Sequence, residues 1–293
     1  MLFAYFNIKK NAVGTSLTNP LLRCIIVCGT VVPNNAINEV NMTEYTEINS
    51  KTIDRWVDEG WEWGIPVSHE TYLKALDGEW DVLLTPTKPV PHEWFGTLEG
   101  KALLGLASGG GQQMPLFSAL GARCTVLDYS DRQLSSERMV AEREKYEISI
   151  VKADMTKVFP FPDDSFDVIF HPVSNCYVKD VYHVFRECFR VLKSGGVLLS
   201  GLGNEVNYIV NEDESAVVNR MPFDPLTCPE YMRQLEEEDC GVQFSHTVAE
   251  QIGGQLAAGF ILTDIYGDTN GQGRLHELNI ESYIATRAVK PLR

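Results

Sequence analysis

Three successive glycines, Gly109, Gly110 and Gly111, follow the apolar run "LLGLAS" at residues 103–108. A glycine run loses backbone entropy and packs nothing, so it marks a sharp turn or a ligand's close approach to the main chain. Asp128 lies 19 residues beyond Gly109, and Asp154 another 26 residues on. This spacing sets a carboxylate at the end of each of two successive strands. One can accept both hydroxyl protons of a ribose; the other, in "ADM", can meet a purine with a flat apolar side chain beside it. The glycine N–H groups and the helix start behind them can hold a phosphate or a carboxylate. Together the three loops trace a nucleoside-like ligand. For Asp128 and Asp154 the alternative is a cap on the helix that follows. "ASGGGQQM" has no Lys-Ser or Lys-Thr after its glycines, which sets a phosphate-binding NTPase aside.

The elements that must position these residues alternate in type. "KALLGLA" (101–107) reads as a strand buried on both faces, "QQMPLFSALGA" (112–122) as a helix, and "CTVLDYS" (124–130) as the next strand. Ser130 with Gln133 forms a capping-box pattern that starts a helix through Tyr146. "ISIVKADM" (148–155) and "FDVIFHPV" (166–173) are two more strands. Val181, Val184, Phe185, Cys188, Val191 and Leu192 recur at helical spacing, and Gly195 with Gly196 is expected to end that helix before "VLLSG" (197–201). Thr247 and Glu250 cap another helix ending near Gly259, followed by strands in "FILTDIYG" and "LNIESYIATRA". Strands separated by helices imply a mostly parallel α/β sheet covered on both faces.

The chain divides into segments of different character. Residues 1–38 hold three basic residues and no acid, and all 40 acids lie beyond them. Residues 1–41 are read either as a disordered extension or as a start assigned upstream of Met42. Residues 42–100 own every tryptophan of the chain: Trp56, Trp61, Trp63, Trp80 and Trp94. They either pack a helical cap onto the main domain or line a pocket. Residues 101–293 form the main domain. Within it the acidic, proline-bearing stretch 204–243 is a lid-like insertion or a solvated excursion.

Composition narrows the partners. A net charge of −15 argues against holding nucleic acid or anionic lipid by bulk attraction and suits a neutral or cationic small molecule. Seven cysteines with no C-x-x-C pair read as reduced thiols in the cytoplasm, without structural zinc. No stretch reaches the roughly 20 apolar residues of a membrane span.

With these motifs in view, the sequence resembles the class I S-adenosylmethionine-dependent methyltransferases, well over roughly residues 95–201 and more loosely through the closing strands. "LLGLASGGG" is similar to that family's first motif, "VLDYS" to its ribose-binding acid and "KADM" to its adenine-binding loop. The most specific part is "FPFPDDSFDVIF" followed by "FRECFRVLKSGGVLLSG", similar to the family's small-molecule enzymes. Gly105 stands where the family has an acid, which leaves the methionine amino group to carbonyls or to the N-terminal segment. Ala107 replaces the first motif glycine and is tolerable with a negative φ.

The resemblance implies a Rossmann-like, doubly wound sheet of seven strands with an antiparallel last strand, plus the N-terminal helical cap. It implies S-adenosylmethionine as cofactor. Carried over by position, Gly109, Gly110 and Gly111 pass its methionine part, flanked by Ala107 and Ser108; Asp128 takes the ribose and Tyr129 one adenine face. Asp154 and Met155 meet the adenine edge and other face, and His171 lies near the sulfonium. An activated methyl needs alignment and exclusion of water more than acid or base groups. The catalytic candidates are His171, as proton acceptor or merely a loop-bonded histidine, and Tyr177. Tyr45, Trp56, Trp61, Trp63 and His69 are the substrate-binding candidates.

"HPVSN" (171–175) is not the N-P-P-Y signature of amide or base N-methyltransferases, which speaks against nucleic-acid or protein acceptors. The expectation is a cytoplasmic enzyme, monomer or homodimer, that methylates an oxygen or nitrogen of a small-molecule acceptor. It has no metal, nucleic-acid or membrane partner. Two alternatives stay open: an NAD(P)-binding oxidoreductase, since Gly105, Ala107 and Gly110 fit a G-x-A-x-x-G fingerprint, and a non-catalytic cofactor-binding scaffold.

Overall fold

In the computed structural model the described residues are 44–292. The extension expected over residues 1–41, with Cys24 and Cys28, lies outside them. Seven strands form one sheet: β1 (Ala102–Leu106), β2 (Arg123–Asp128), β3 (Ile148–Lys152), β4 (Phe166–His171), β5 (Leu192–Gly203), β6 (Ile261–Asp268) and β7 (Tyr283–Val289). Their order is β3-β2-β1-β4-β5-β7-β6. The first five strands run parallel, while β7 is antiparallel to both β5 and β6. The sheet therefore changes winding direction between β1 and β4, and in an open α/β sheet that is where ligands bind.

Alternation along the central strands feeds two cores. Leu103, Val168 and Leu199 point to one face, Leu104, Ile169 and Leu198 to the other. On the second face lies α5 (Val181–Val191), presenting Val184, Phe185 and Cys188, all fully buried. Each such apolar side chain contributes roughly 1.5–3 kcal/mol when taken out of water. The first face packs α3 (Met114–Ala119) together with Val90, Trp94, Phe95 and Leu98 of the segment before β1. Trp80 and Trp94 are thus core packing residues, and the Trp94 indole also donates to Asp264 Oδ2 at 3.1 Å.

Gly195 and Gly196 depart from their expected role. The α5 helix ends at Val191 and β5 begins at once; the glycines sit inside β5, at an irregularity between the pairs Phe166–Leu192 and Val168–Val197. The reason is pairing: Gly195 N donates to Lys290 O, and Gly196 O accepts from Lys290 N. Residues 278–282 likewise precede β7 and do not belong to it, since α9 (Gly273–Glu277) intervenes after β6.

Helices before β1 and after β5 bring the site together. First, α1 (Glu44–Asp58) bridges the far side of the sheet to the segment after β5. Its Asp54 accepts from Ser130 Oγ and Arg132 N at the start of α4 (Asp131–Glu144), while Asn49 exchanges two hydrogen bonds with the Val242 backbone. Arg55 adds a bidentate pair with Asp239. The α2 helix (His69–Leu76) packs on α3. Between β5 and α8 (Val248–Ala258), the chain forms α6 (Val206–Ile209) and α7 (Pro229–Glu237) over the strand ends. The capping box of Thr247 and Glu250 forms as spaced, and α8 closes on Gly259 at φ +106°.

Candidate functional site

Two adjoining cavities open beyond the carboxyl ends of β1, β2, β3 and β4. The smaller is walled by Asp128 and Tyr129 at the end of β2, by Asp154 and Met155 after β3, and by Ser50 and Ile53 of α1 above. The larger is walled by Ser108 and Gly109 after β1, by Trp63, and by Tyr208, Phe223 and Glu238 from the segment after β5. Trp61, Ala107, Gln133, Val173 and Tyr177 line both, so these five side chains mark the junction.

Asp128 is built into the smaller cavity by the backbone around it. Its Oδ2 accepts from Gly109 N and its Oδ1 from Ser130 N, each at 3.0 Å. Burial pushes its carboxyl above the usual range, opposed by these N–H groups. The helix after β2 is capped instead by Ser130, whose Oγ accepts from Gln133 N. Asp128 is thereby left with lone pairs facing the cavity. Asp154 Oδ1 accepts from Thr156 N at 2.8 Å, a local turn that aims the rest of the carboxylate inward. Tyr129 is steadied by its phenol bond to Glu47, by Ser50 Oγ on its carbonyl and by Lys152 over its ring.

The glycine run behaves differently from a free anion cradle. Gly109 N is bonded to Asp128, Gly110 N to Gln133 O and Gly111 N to Glu137 Oε2. All three donors are taken internally, because φ of +96° at Gly110 and +67° at Gly111 turns the chain against α4. Of the three, only Gly109 lines a cavity. Its need for glycine is steric: a Cβ there would lie 2.7 Å from Gln133 Cβ and 2.9 Å from Asp128 Oδ2. Ala107 has φ +49°, contrary to the negative value expected of it. It takes the left-handed conformation directly after the last rung of the β1–β2 ladder, its N–H to Leu127 O, where the chain leaves the sheet for the glycine loop.

The other expected residues divide. Trp61 and Trp63 line the cavities. Trp56 is only 3% exposed and packs its ring against Trp61; Tyr45 is equally buried against Phe244. His69 is exposed and bonded to Glu144 on the outer surface. None of these three lines either cavity. Their distribution follows the amphipathic faces of α1 and α2: one face goes to the core and the other to water.

His171, at the end of β4, is 0% exposed and lines neither cavity. Its Nδ1 meets Leu106 O at 3.0 Å and its Nε2 meets Asn175 Oδ1 at 2.9 Å. Asn175 Nδ2 donates to Gln251 Oε1, and Gln251 Nε2 donates to Gly203 O. The histidine is the inner end of a buried chain tying β1, β4, β5 and α8 together. Burial holds its pKa below the usual value, and the neutral ring, with a single N–H, donates to only one of these two oxygens. Tyr177, by contrast, stands at the junction on a single 3₁₀ turn, Asn175–Tyr177. Burial raises its phenol well above the usual range, so it orients and donates as a neutral group.

Several cavity residues lie outside the motifs matched to the cofactor. Tyr283 opens β7, and because β7 is antiparallel its first residue pairs with Gly203 at the ligand-facing end of β5. That position was available from topology alone. Gln133 follows from the direction of helical side chains, which lean toward the helix start and hence over the glycine loop. Tyr208, Glu238 and Gln243 come from the irregular segment and have no such signal. Among the described residues no cluster of His, Cys, Asp or Glu could hold a metal ion, and no helix is long and apolar enough to cross a membrane.

Known proteins resemble this arrangement. A family model described as a methyltransferase domain matches residues 104–200. An uncharacterized methyltransferase of Bacillus subtilis, YbaJ, is 41% identical over 249 residues, covering 83% of this chain and 97% of that protein. A sterol 24-C-methyltransferase of Aspergillus fumigatus is 34% identical over 106 residues, 35% of this chain and 28% of the other. Among solved structures, an S-adenosylmethionine-dependent methyltransferase from Mesorhizobium loti superposes with a TM-score of 0.53 at 20% identity, covering 67% of this chain and 94% of that one.

Proposed function

The chain belongs to the class I S-adenosylmethionine-dependent methyltransferases, and from that premise we propose that it methylates an oxygen or nitrogen of a small neutral or cationic acceptor held in the larger cavity. The residues of the smaller cavity fit the adenosyl half of the cofactor: a carboxylate with free lone pairs at Asp128, a ring at Tyr129, and Asp154 with Met155 opposite. Glycine at 109 lets the loop lie against Gln133 and Asp128, where any Cβ would collide, and so holds the Asp128 carboxylate in place. When bound, S-adenosylmethionine supplies a methyl group on a sulfur that leaves readily.

The chain's own residues then have three tasks. Asp128 orients the nucleoside through its ribose hydroxyls. Trp61, Val173 and Tyr177 shape the junction between the cavities and exclude water from it. The larger cavity receives the acceptor. The observation that carries the acceptor class is the lining of this cavity: among the described residues it holds no Lys, Arg or His, and Glu238 is its one acid. Burial raises the Glu238 carboxyl above its usual range, while Gln234 Nε2 donates to it at 3.0 Å. An anionic acceptor would find no cation among these residues, whereas an amine or an uncharged hydroxyl compound needs none. The rings of Tyr177, Tyr208 and Tyr283 add faces that favour a cation.

A carbon acceptor is the second reading, supported by the match to a sterol C-methyltransferase and by those same rings, which suit positive charge developing on carbon. The test is incubation with S-adenosylmethionine carrying a labelled methyl and a fractionated metabolite extract. Label bound to oxygen or nitrogen in a neutral or basic product supports the proposal. Label on carbon establishes the second reading, and label confined to anionic products overturns both.

A further inference from the structure

We propose that Gln133 and Trp63 together hold the amino-acid end of the methyl donor, Gln133 Oε1 accepting from its ammonium and the Trp63 indole N–H donating to its carboxylate. The inference rests on the adenosyl placement given above and goes on to the half of the cofactor for which the first motif has no acid. Gly105 stands in that acid's position, and Met114 fills the space in front of it. Some other group must meet the ammonium.

Two buried polar atoms beside the glycine loop have no hydrogen-bond partner: Gln133 Oε1, an acceptor, and Trp63 Nε1, a donor. Gln133 is 7% exposed, and its side chain lines both cavities at their junction. Trp63 lines the larger cavity. A buried acceptor and a buried donor left unpaired are each unfavourable until a ligand satisfies them. Their polarities match the two ends of an α-amino acid zwitterion.

The amide orientation is set by the structure. Gln133 Nε2 donates to Trp63 O at 3.3 Å, so the amide oxygen is the atom left over. That oxygen lies 2.6 Å from where a Cβ on residue 110 would project, and Trp63 O lies 3.3 Å from the same point. Glycine at 110 is what gives the buried amide oxygen room to lie there. The backbone also fixes Gln133, whose carbonyl accepts from Gly110 N at 2.9 Å. That bond survives any change of side chain. The second partner, Trp63, belongs to the tryptophan-rich segment, which accounts for an indole beside a motif that is otherwise all backbone.

Calorimetry with three nucleosides tests the assignment: S-adenosylhomocysteine with both charged ends, decarboxylated S-adenosylmethionine with the ammonium alone, and 5′-methylthioadenosine with neither. Gln133→Met is expected to weaken the first two by about ten-fold and the third by less than about two-fold. Trp63→Phe is expected to weaken only S-adenosylhomocysteine, again by about ten-fold. Gln133→Glu restores or tightens binding of both ammonium-bearing ligands. Thermal melting of each variant establishes that it is folded. Equal losses for all three nucleosides, or no loss for any, overturn the assignment while leaving the adenosyl placement standing. Wild-type protein that binds none of them overturns the placement and this inference together.

Discussion

The thioether of Met114 occupies the space into which a side chain at residue 105 would project: a Cβ on Gly105 would lie 2.6 Å from Met114 Sδ and 2.7 Å from its Cε. Both residues are fully inside the core beneath the glycine loop. The departure from the family motif is therefore compensated by packing, with the larger residue on α3 filling what the strand gave up. Restoring the family's acid by Gly105→Asp should destabilise the protein by at least about 1–3 kcal/mol, from overpacking and from burying an unpaired carboxylate. Adding Met114→Ala should recover part of that loss, which a double-mutant cycle in urea would register as coupling between the two sites. A stable Gly105→Asp protein with tighter binding of S-adenosylhomocysteine would show the compensation to be unnecessary.

Asp128 offers a direct probe of the smaller cavity. Removing it in Asp128→Ala should weaken binding of S-adenosylhomocysteine by on the order of 1–3 kcal/mol, the scale of a buried hydrogen bond to a charged group. The ionised form is the ribose acceptor, and burial raises the carboxyl's pKa. Affinity should accordingly fall as the pH drops through that raised value, and the alanine variant should lack this dependence. Titration calorimetry across an acid series measures both effects. A folded Asp128→Ala protein with wild-type affinity is incompatible with a ribose contact at this residue.

How the sequence could be read, and where it could not, follows from the range of the interactions involved. The strands and the carboxylates at their ends were legible because each depends on a few adjacent residues, whereas the winding of the sheet came from the family resemblance. Asp128 lies at the end of an apolar run, and Ser130 with Gln133 marks the helix after it. The conformation of Ala107 was not legible. Its φ of +49° falls at the exit from β1, where the chain leaves its pairing with β2 for the glycine loop, and an alanine carries no local signal for it. His171 was expected near the sulfonium from its position at the end of β4, but it is held in a buried chain with Asn175 and with Gln251, the latter 80 residues away on α8. Glu238 and Tyr208 reach the larger cavity from a segment without periodicity, where no local pattern reports which side chains face inward.

His171 and Tyr177 should separate cleanly in experiment. Because His171 is buried between Leu106 O and Asn175 Oδ1 and faces neither cavity, His171→Gln should lower stability by about 1–3 kcal/mol through its buried network. The pH profile of the folded fraction's kcat should not move. Tyr177→Phe should leave the melting temperature nearly unchanged and lower kcat by about ten-fold, the scale of one lost hydrogen bond at the junction. Its pH profile should also stay fixed, since the raised phenol does not ionise near neutrality. Loss of an acidic limb in the His171 variant would return the base role to that residue.

Glu137 links the glycine loop to the pH dependence of folding. One of its oxygens accepts from Gly111 N at 3.0 Å and the other from the Tyr146 hydroxyl at 2.9 Å. It is fully buried, and burial pushes its pKa from 4.5 up to about 7. An acid raised in the folded state binds a proton there more tightly than in the unfolded chain. Its contribution to stability is therefore fully present below the unfolded value and is lost as the pH rises through about 7. The loss over that window is about 3 kcal/mol, taking each pKa unit as 1.36 kcal/mol. Glu137→Gln keeps an acceptor for Gly111 N and removes the titration. The variant should exceed the wild type in stability at pH 8, and its advantage should shrink by about 2 kcal/mol on going to pH 5. Urea unfolding of both proteins at the two pH values measures this difference, and parallel curves would mean that Glu137 stays ionised in the folded protein.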